Sequence, residues 1–151
     1  MSEPVKAMTD AGRRRASRAQ ETRRRIIDAG LRLFLEKGYA TTTVQAIAQA
    51  AGVAPATIYQ SFGTKQAVLE SALDATIAGD DTPLAVLDRV WVQRARREKD
   101  QRRQLRLIVK GASQIAARTA SLKEVMRDAA ATDVAARELL REDCDRAAGA
   151  T

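Results

Sequence analysis

Apolar positions recur with helical spacing along most of the chain. Between Gln20 and Lys37, Ile26, Ala29 and Leu33 fall on one stripe, widened by Ile27, Gly30, Leu31 and Phe34. Gly38 follows the basic Lys37, the order expected at a helix C-terminus, and Tyr39 is placed to fold back onto the helix end. Thr42 then starts a short second helix, with Gln45 three residues later completing a capping box and Val44, Ile47 and Ala48 inward. Gly52-Val53-Ala54 forms a tight turn. Pro55 suits the first position of a third helix, where its missing N–H costs nothing, and that helix runs to about Ser61 with Ile58 and Phe62 inward. Thr64 caps a fourth helix that buries Val68, Leu69, Ala72, Leu73 and Ile77.

The second half carries the same period with weaker punctuation. Gly79-Asp80-Asp81-Thr82 forms a hinge, and Pro83 opens a fifth helix through about Arg97 with Leu84, Leu87, Val90 and Trp91 inward. The polar run Glu98–Arg103 interrupts the path. A sixth helix follows over Gln104–Arg118, with Leu105, Ile108, Val109, Ala112, Ile115 and Ala116 apolar. Leu122, Val125 and Met126 mark a seventh, and Asp133 caps an eighth bearing Val134, Leu139 and Leu140. No strand pattern and no internal repeat interrupts this, so the fold class is all-α. Residues 1–18 lack periodicity. The organisation read from the chain is a basic flexible arm (1–19), a helix-turn-helix domain (20–65), a connecting helix and hinge (66–82) and a helical regulatory domain (83–151).

Composition narrows the function. The net charge is +7, which points to a polyanionic partner. Residues 13–25 hold seven Arg against Glu21, and residues 89–106 hold seven Arg and Lys99 against Glu98 and Asp100. The first run adjoins the short helices and reads as nucleic-acid binding; the second reads mainly as solvated surface. No histidine is present, which removes His-based acid–base catalysis and His-containing zinc sites. Cys144 stands alone, so no internal disulfide forms and nothing points to an oxidising compartment. No apolar run approaches the ~20 residues of a membrane span. No nucleophile–base pair, metal-ligand cluster or phosphate-cradling Gly loop is found. The expectations are a cytoplasmic protein that is not an enzyme, with no cofactor, no metal and no membrane partner.

Two short helices joined by a three-residue turn containing Gly52 make a helix-turn-helix. The first helix crosses the DNA backbone while the second lies in the major groove, the groove wide enough to admit it. Ala54, Pro55, Ala56, Thr57, Tyr59 and Gln60 are the residues of the second helix placed to face DNA.

The stretch Ile26-Ile27-Asp28-Ala29-Gly30 through Leu33-Phe34, Gly38-Tyr39, Thr41-Thr42-Thr43-Val44, Ile47-Ala48, Ala51-Gly52-Val53, Thr57-Ile58-Tyr59, Phe62 and Lys65–Leu69 resembles the TetR family of repressors over about residues 20–78. The resemblance implies a three-helix DNA-binding domain, a connecting fourth helix and a helical domain that binds a small-molecule effector and forms a homodimer. By matched position, Thr42 and Thr43 donate to phosphate at a helix N-terminus, Tyr59 places its hydroxyl on phosphate, and Lys65 anchors the backbone. Gln45, Ala56, Thr57 and Gln60 are candidates for base edges. Arg13–Arg15 and Arg23–Arg25 touch phosphates, or the arm enters the minor groove. Two departures are visible: Ser61 stands where the family often carries an aromatic or His, and the chain stops early in the regulatory domain.

The function these features imply is a ligand-responsive repressor that binds a palindromic operator in double-stranded DNA as a dimer. Trp91, Ile108 and Met126 are the candidates for an effector pocket. Trp91 and Met126 have a second reading as ordinary core, because apolar residues at helical spacing bury without further purpose.

Overall fold

The computed structural model describes residues 10–79 and 90–149, and among them every regular element is a helix. Helix α1 spans Asp10–Lys37, α2 Val44–Ala51, α3 Pro55–Phe62, α4 Lys65–Ala78, α5 Val90–Arg97, α6 Gln101–Thr132 and α7 Val134–Gly149. The all-α fold class expected from the sequence is found.

Local chemistry sets most boundaries. Helix α1 ends where Gly38 takes a positive φ of 79° and its N–H bonds Phe34 O at 2.9 Å. At the end of α2, Gly52 N–H bonds Gln49 O at 3.2 Å and Val53 N–H bonds Ala48 O at 3.0 Å. This is the two-bond Schellman arrangement around a left-handed glycine. Pro55 opens α3, and Thr64 Oγ1 accepts from Ala67 N at 3.1 Å to open α4. Asp133 does double duty: its N–H closes α6 on Ala129 O, while its carboxylate caps α7 by accepting from Ala135 N at 2.9 Å.

Four expectations are corrected. Helix α1 begins at Asp10 and not at Gln20, so residues 10–19 of the expected arm are helical. Arg, Ala and Gln are good helix formers without any apolar stripe, and Asp10 favours the positive N-terminal end while pairing with Arg13. The cap of α2 is Thr43, whose Oγ1 accepts from Ala46 N at 3.1 Å. Thr42 is buried instead, its hydroxyl set against Gly38 O at 2.7 Å and Leu33 O at 3.2 Å, so the Thr42–Gln45 capping box does not form. The expected sixth and seventh helices are one 32-residue helix, α6, because no Gly or Pro falls between Gly111 and Thr132 to stop it. Leu105, Ile108, Val109 and Ala112, expected inward, are exposed. Among the described residues, α5 meets α6 closely at Gly111, where the Trp91 ring packs. Leu84, Leu87 and the hinge residues 80–82 lie outside the described residues.

One apolar core joins the two halves. Ile26, Phe34, Ile47, Ile58, Val68, Leu69 and Leu73 are fully buried in the same cluster as Leu122, Met126 and Leu139. It runs across the boundary drawn at residue 82. Helices α1 and α4 come close enough at Gly30 that an added Cβ would lie 2.7 Å from Val68 Cγ1. Arg118 donates to Ile77 O at 3.1 Å near the end of α4, while Asp133 lies by Lys65 at its start, so α6 runs antiparallel to α4. Lys123 pairs with the buried carboxylate of Asp143 at 2.9 Å and ties α6 to α7.

A polar clamp fixes the turn ahead of α2. Lys65 Nζ donates to Tyr39 O at 2.8 Å and Thr42 O at 3.0 Å and sits 3.9 Å from the centre of the Tyr39 ring. Burial pushes the Tyr39 phenol up to about 12, helped by the neighbouring Asp133 carboxylate. Burial also lowers the Lys65 ammonium below its usual value, with Asp133 opposing.

Gly30→Ala is expected to destabilise the fold by ~1–3 kcal/mol through overpacking at Val68, read by chemical denaturation. Gly111→Ala places a methyl 2.5 Å from the ring of Trp91. The emission of this single tryptophan is expected to shift to longer wavelength as the ring is displaced toward water. For Tyr39 the folded pKa lies above the unfolded one, so the folded state holds this proton more tightly. Stability is therefore lost as pH rises from 10.0 to about 12. Lys65 acts with the opposite sign, its lowered pKa adding stability as pH climbs toward 10.5. Urea denaturation across this range is expected to show the alkaline loss in the native chain and its disappearance in Tyr39→Phe.

Candidate DNA interface

Helices α2 and α3 present the face the sequence singles out. The Schellman turn at Gly52 and the Pro55 start hold the two helices at a fixed angle, and the buried Val44, Ile47, Ala48, Ala51 and Ile58 seat them on α1 and α4. What remains outward is a polar and small-residue surface. Gln45, Ala54, Pro55, Ala56, Tyr59 and Gln60 are exposed, Tyr59 to 52%, and Thr57 is half-buried. No Asp or Glu occurs between Glu36 and Glu70, so no fixed negative charge from this segment opposes a phosphate backbone.

The N-terminus of α2 carries the best-formed donor group. Thr43 is exposed and accepts the Ala46 N–H through its oxygen. Its own hydroxyl hydrogen remains to be donated outward, beside the positive end of the helix. Thr42, placed beside it in the sequence reading, is 1% exposed and its hydroxyl faces carbonyls of α1 and the following turn. Thr42 thus fixes the backbone behind Thr43.

Two of the cations assigned to phosphate, Lys65 and Arg23, have internal partners. Lys65 forms the clamp described above. Arg23 Nη1 donates to Ser61 O at 3.0 Å, its Nη2 to Ser71 Oγ at 3.2 Å, and its guanidinium carbon lies 4.2 Å from the centre of the Phe62 ring. Ser61 itself is exposed at the end of α3. Sequence reading did not find Ser71 or the Asp133–Tyr39 proximity. Both rest on contacts between residues dozens of positions apart, for which no local pattern exists.

Met126 is not brought together with the other two effector-pocket candidates. Met126 is fully buried in the shared core. Ile108 is 45% exposed, 18 residues earlier on the same continuous helix and so about 27 Å away along its axis. Trp91 lies half-buried against Gly111. An open groove along α5 is lined by Val90, Gln93, Arg94, Arg97, Glu98 and Lys99, and none of the three candidates borders it. No group of acidic, His or Cys side chains suited to a metal ion occurs among the described residues. No described helix is long and apolar enough to cross a membrane.

Comparison with known proteins places this geometry. Residues 26–72 match the profile described as bacterial regulatory proteins, tetR family. The HTH-type transcriptional regulator SrpR of Pseudomonas putida is 38% identical over 82 residues, covering 52% of this chain and 38% of that protein. The regulator TtgR, also of Pseudomonas putida, is 43% identical over 63 residues, covering 42% of this chain and 30% of its own. AcrR of Shigella flexneri is 35% identical over 94 residues, covering 53% and 43% respectively. The match thus spans well under two thirds of these relatives' length. Among solved structures, NalD of Pseudomonas aeruginosa, described as the secondary repressor of the MexAB-OprM multidrug efflux pump, aligns over 78% of this chain and 70% of its own. The identity there is 24% and the TM-score 0.36. The stretch from Ile26 to Ala72 contains the core stripe of α1, both helices of the helix-turn-helix and most of α4, and over that stretch the chain matches the TetR family of bacterial regulatory proteins.

Proposed function

We propose that this protein is a DNA-binding transcriptional repressor that recognises a palindromic operator as a homodimer and releases it when a small molecule binds. The observation that carries the DNA-binding part is the outward face of α2 and α3: exposed, without acidic residues, and braced from behind by the shared core. Relatives named as transcriptional regulators support regulation over catalysis. In this reading the protein works in the cytoplasm, beside DNA. The repressor, dimer and effector elements are borrowed from the family and from relatives that are longer than the matched segment.

Thr43 and Tyr59 donate to phosphates and set the register of α3 on the duplex. Lys65 supports the same backbone contacts from the start of α4. Gln60 and Gln45 meet base edges, where an amide pairs bidentately with adenine. The methyl groups of Ala56 and Thr57 meet thymine, and Ala54 and Pro55 bring the helix start close to the groove floor. A dimer then sets two α3 helices ~34 Å apart, in successive major grooves. An effector that binds better to a form with another separation withdraws the protein from its operator by mass action. Of the pocket candidates, Trp91 and Ile108 remain proposed effector contacts; Met126 acts through the core.

Selection of bound duplexes from fragmented genomic DNA is expected to return a two-fold symmetric consensus with half-sites about one helical turn apart. A collection of unrelated sequences with a steep salt dependence would instead indicate a non-specific, nucleoid-type binder. Tyr59→Phe is expected to weaken binding to consensus and random duplex alike by roughly threefold to tenfold, the loss of one hydrogen bond. Gln60→Ala is expected to relax preference at a single position of each half-site; equal loss on both duplexes would remove Gln60 from the base-reading set.

A further inference from the structure

The Arg23 guanidinium sits where three helices meet. It projects from α1, donates through one edge to Ser61 O in the last turn of α3, donates through the other to Ser71 Oγ on α4, and lays its face on Phe62. Three parts of one planar group thus touch three different groups. The Ser61 carbonyl is among the last of its helix, where carbonyls have no partner within the helix and the dipole is negative, so a cation is favoured there. Helix α3 has eight residues, its cap Ala54 supplies no side-chain bond, and Ile58 is its one fully buried side chain. Its far end is held by Phe62, packed against the core, and by the contacts of Arg23.

We propose that Arg23 is a positioning residue of the DNA interface: it locks the tilt of the recognition helix α3 against α1 and α4, and it does not bind phosphate. The proposal rests on the DNA-binding reading above. The sequence reading placed Arg23 with the phosphate ligands because it belongs to an Arg run. All three of Arg23, Arg24 and Arg25 keep access to solvent on α1, but Arg23 commits one N–H of each Nη to α3 and α4. A fixed tilt matters for base reading more than for holding the backbone, because hydrogen bonds to base edges tolerate little displacement, whereas phosphate attraction is long-ranged.

The full chain carrying Arg23→Gln, Arg23→Lys or Ser71→Ala is titrated against the consensus duplex and a random-sequence duplex over a range of salt, with thermal melting followed in parallel. Arg23→Lys keeps the charge but loses the planar fork. Both Arg23 variants are expected to bind the consensus about tenfold more weakly while random-duplex binding stays within about twofold, with the salt slope unchanged. Ser71→Ala, which leaves the charge and the Phe62 contact in place, is expected to show the same selective loss at roughly threefold. Equal loss on both duplexes in Arg23→Gln, a salt slope smaller by about 0.9 and recovery in Arg23→Lys would make Arg23 a phosphate ligand and overturn the proposal. Unchanged consensus binding in all three variants overturns it as well. Should Arg23→Gln fail to fold, Ser71→Ala decides alone, and consensus binding equal to the native chain overturns the proposal. Failure of the native chain to bind either duplex is seen before any variant is compared; it defeats the DNA-binding reading and takes this proposal with it.

Discussion

The close passage of α1 over α4 at Gly30 is the constraint on which the rest of the structure depends. Without a side chain there, Val68 enters the surface of α1, and Phe34 and Ile47 close around the same point. Helices α2 and α3 are laid against this tightly packed pair by the turns at Gly38 and Gly52. The outward orientation of Tyr59 and Gln60 follows from this, because Ile58 beside them is committed to the core. The interface is thus a by-product of packing: what the core takes from α3 determines what is left for the groove.

The same core extends into the second half of the chain, which alters how the two halves are to be understood. Leu122, Met126, Ala129 and Leu139 complete the burial of α1 and α4. Asp133 stands at the join, capping α7 and lying beside the Tyr39–Lys65 clamp that holds the turn before α2. Helix α6 also reaches beyond the end of α4 toward α5, and there Leu105, Ile108 and Val109 are exposed.

The parts of this arrangement that were legible in the sequence are those written in local chemistry. Gly52, Pro55 and Thr64 each act within four residues of their own position, so the α2–turn–α3 unit and the start of α4 could be read directly. Adjacent threonines defeated the finer reading: either Thr42 or Thr43 satisfies a cap, and the choice falls to tertiary structure, which needs the Thr42 hydroxyl against Gly38 and Leu33. The start of α1 was hidden because its first turns have helix propensity but no apolar face. The break expected within α6 rested on a change of pattern with no residue able to stop a helix. Arg23 and Lys65 were legible as cations but not as internally bonded ones, since their partners are 38 and 48 residues away in one case and 26 and 23 in the other.

Thr43 places one oxygen atom under two demands. It begins α2 by accepting the Ala46 N–H, and in the proposed reading its hydrogen is offered to phosphate. Stability and affinity are therefore not independent variables at this position. Evolution has almost no room to adjust one without the other: Asp or Asn would keep the cap but remove the hydroxyl donor, Ala would remove both, and Ser alone preserves the pair. A lineage that tuned operator affinity would have to do so elsewhere on the face, at residues such as Gln60 that bear no structural duty.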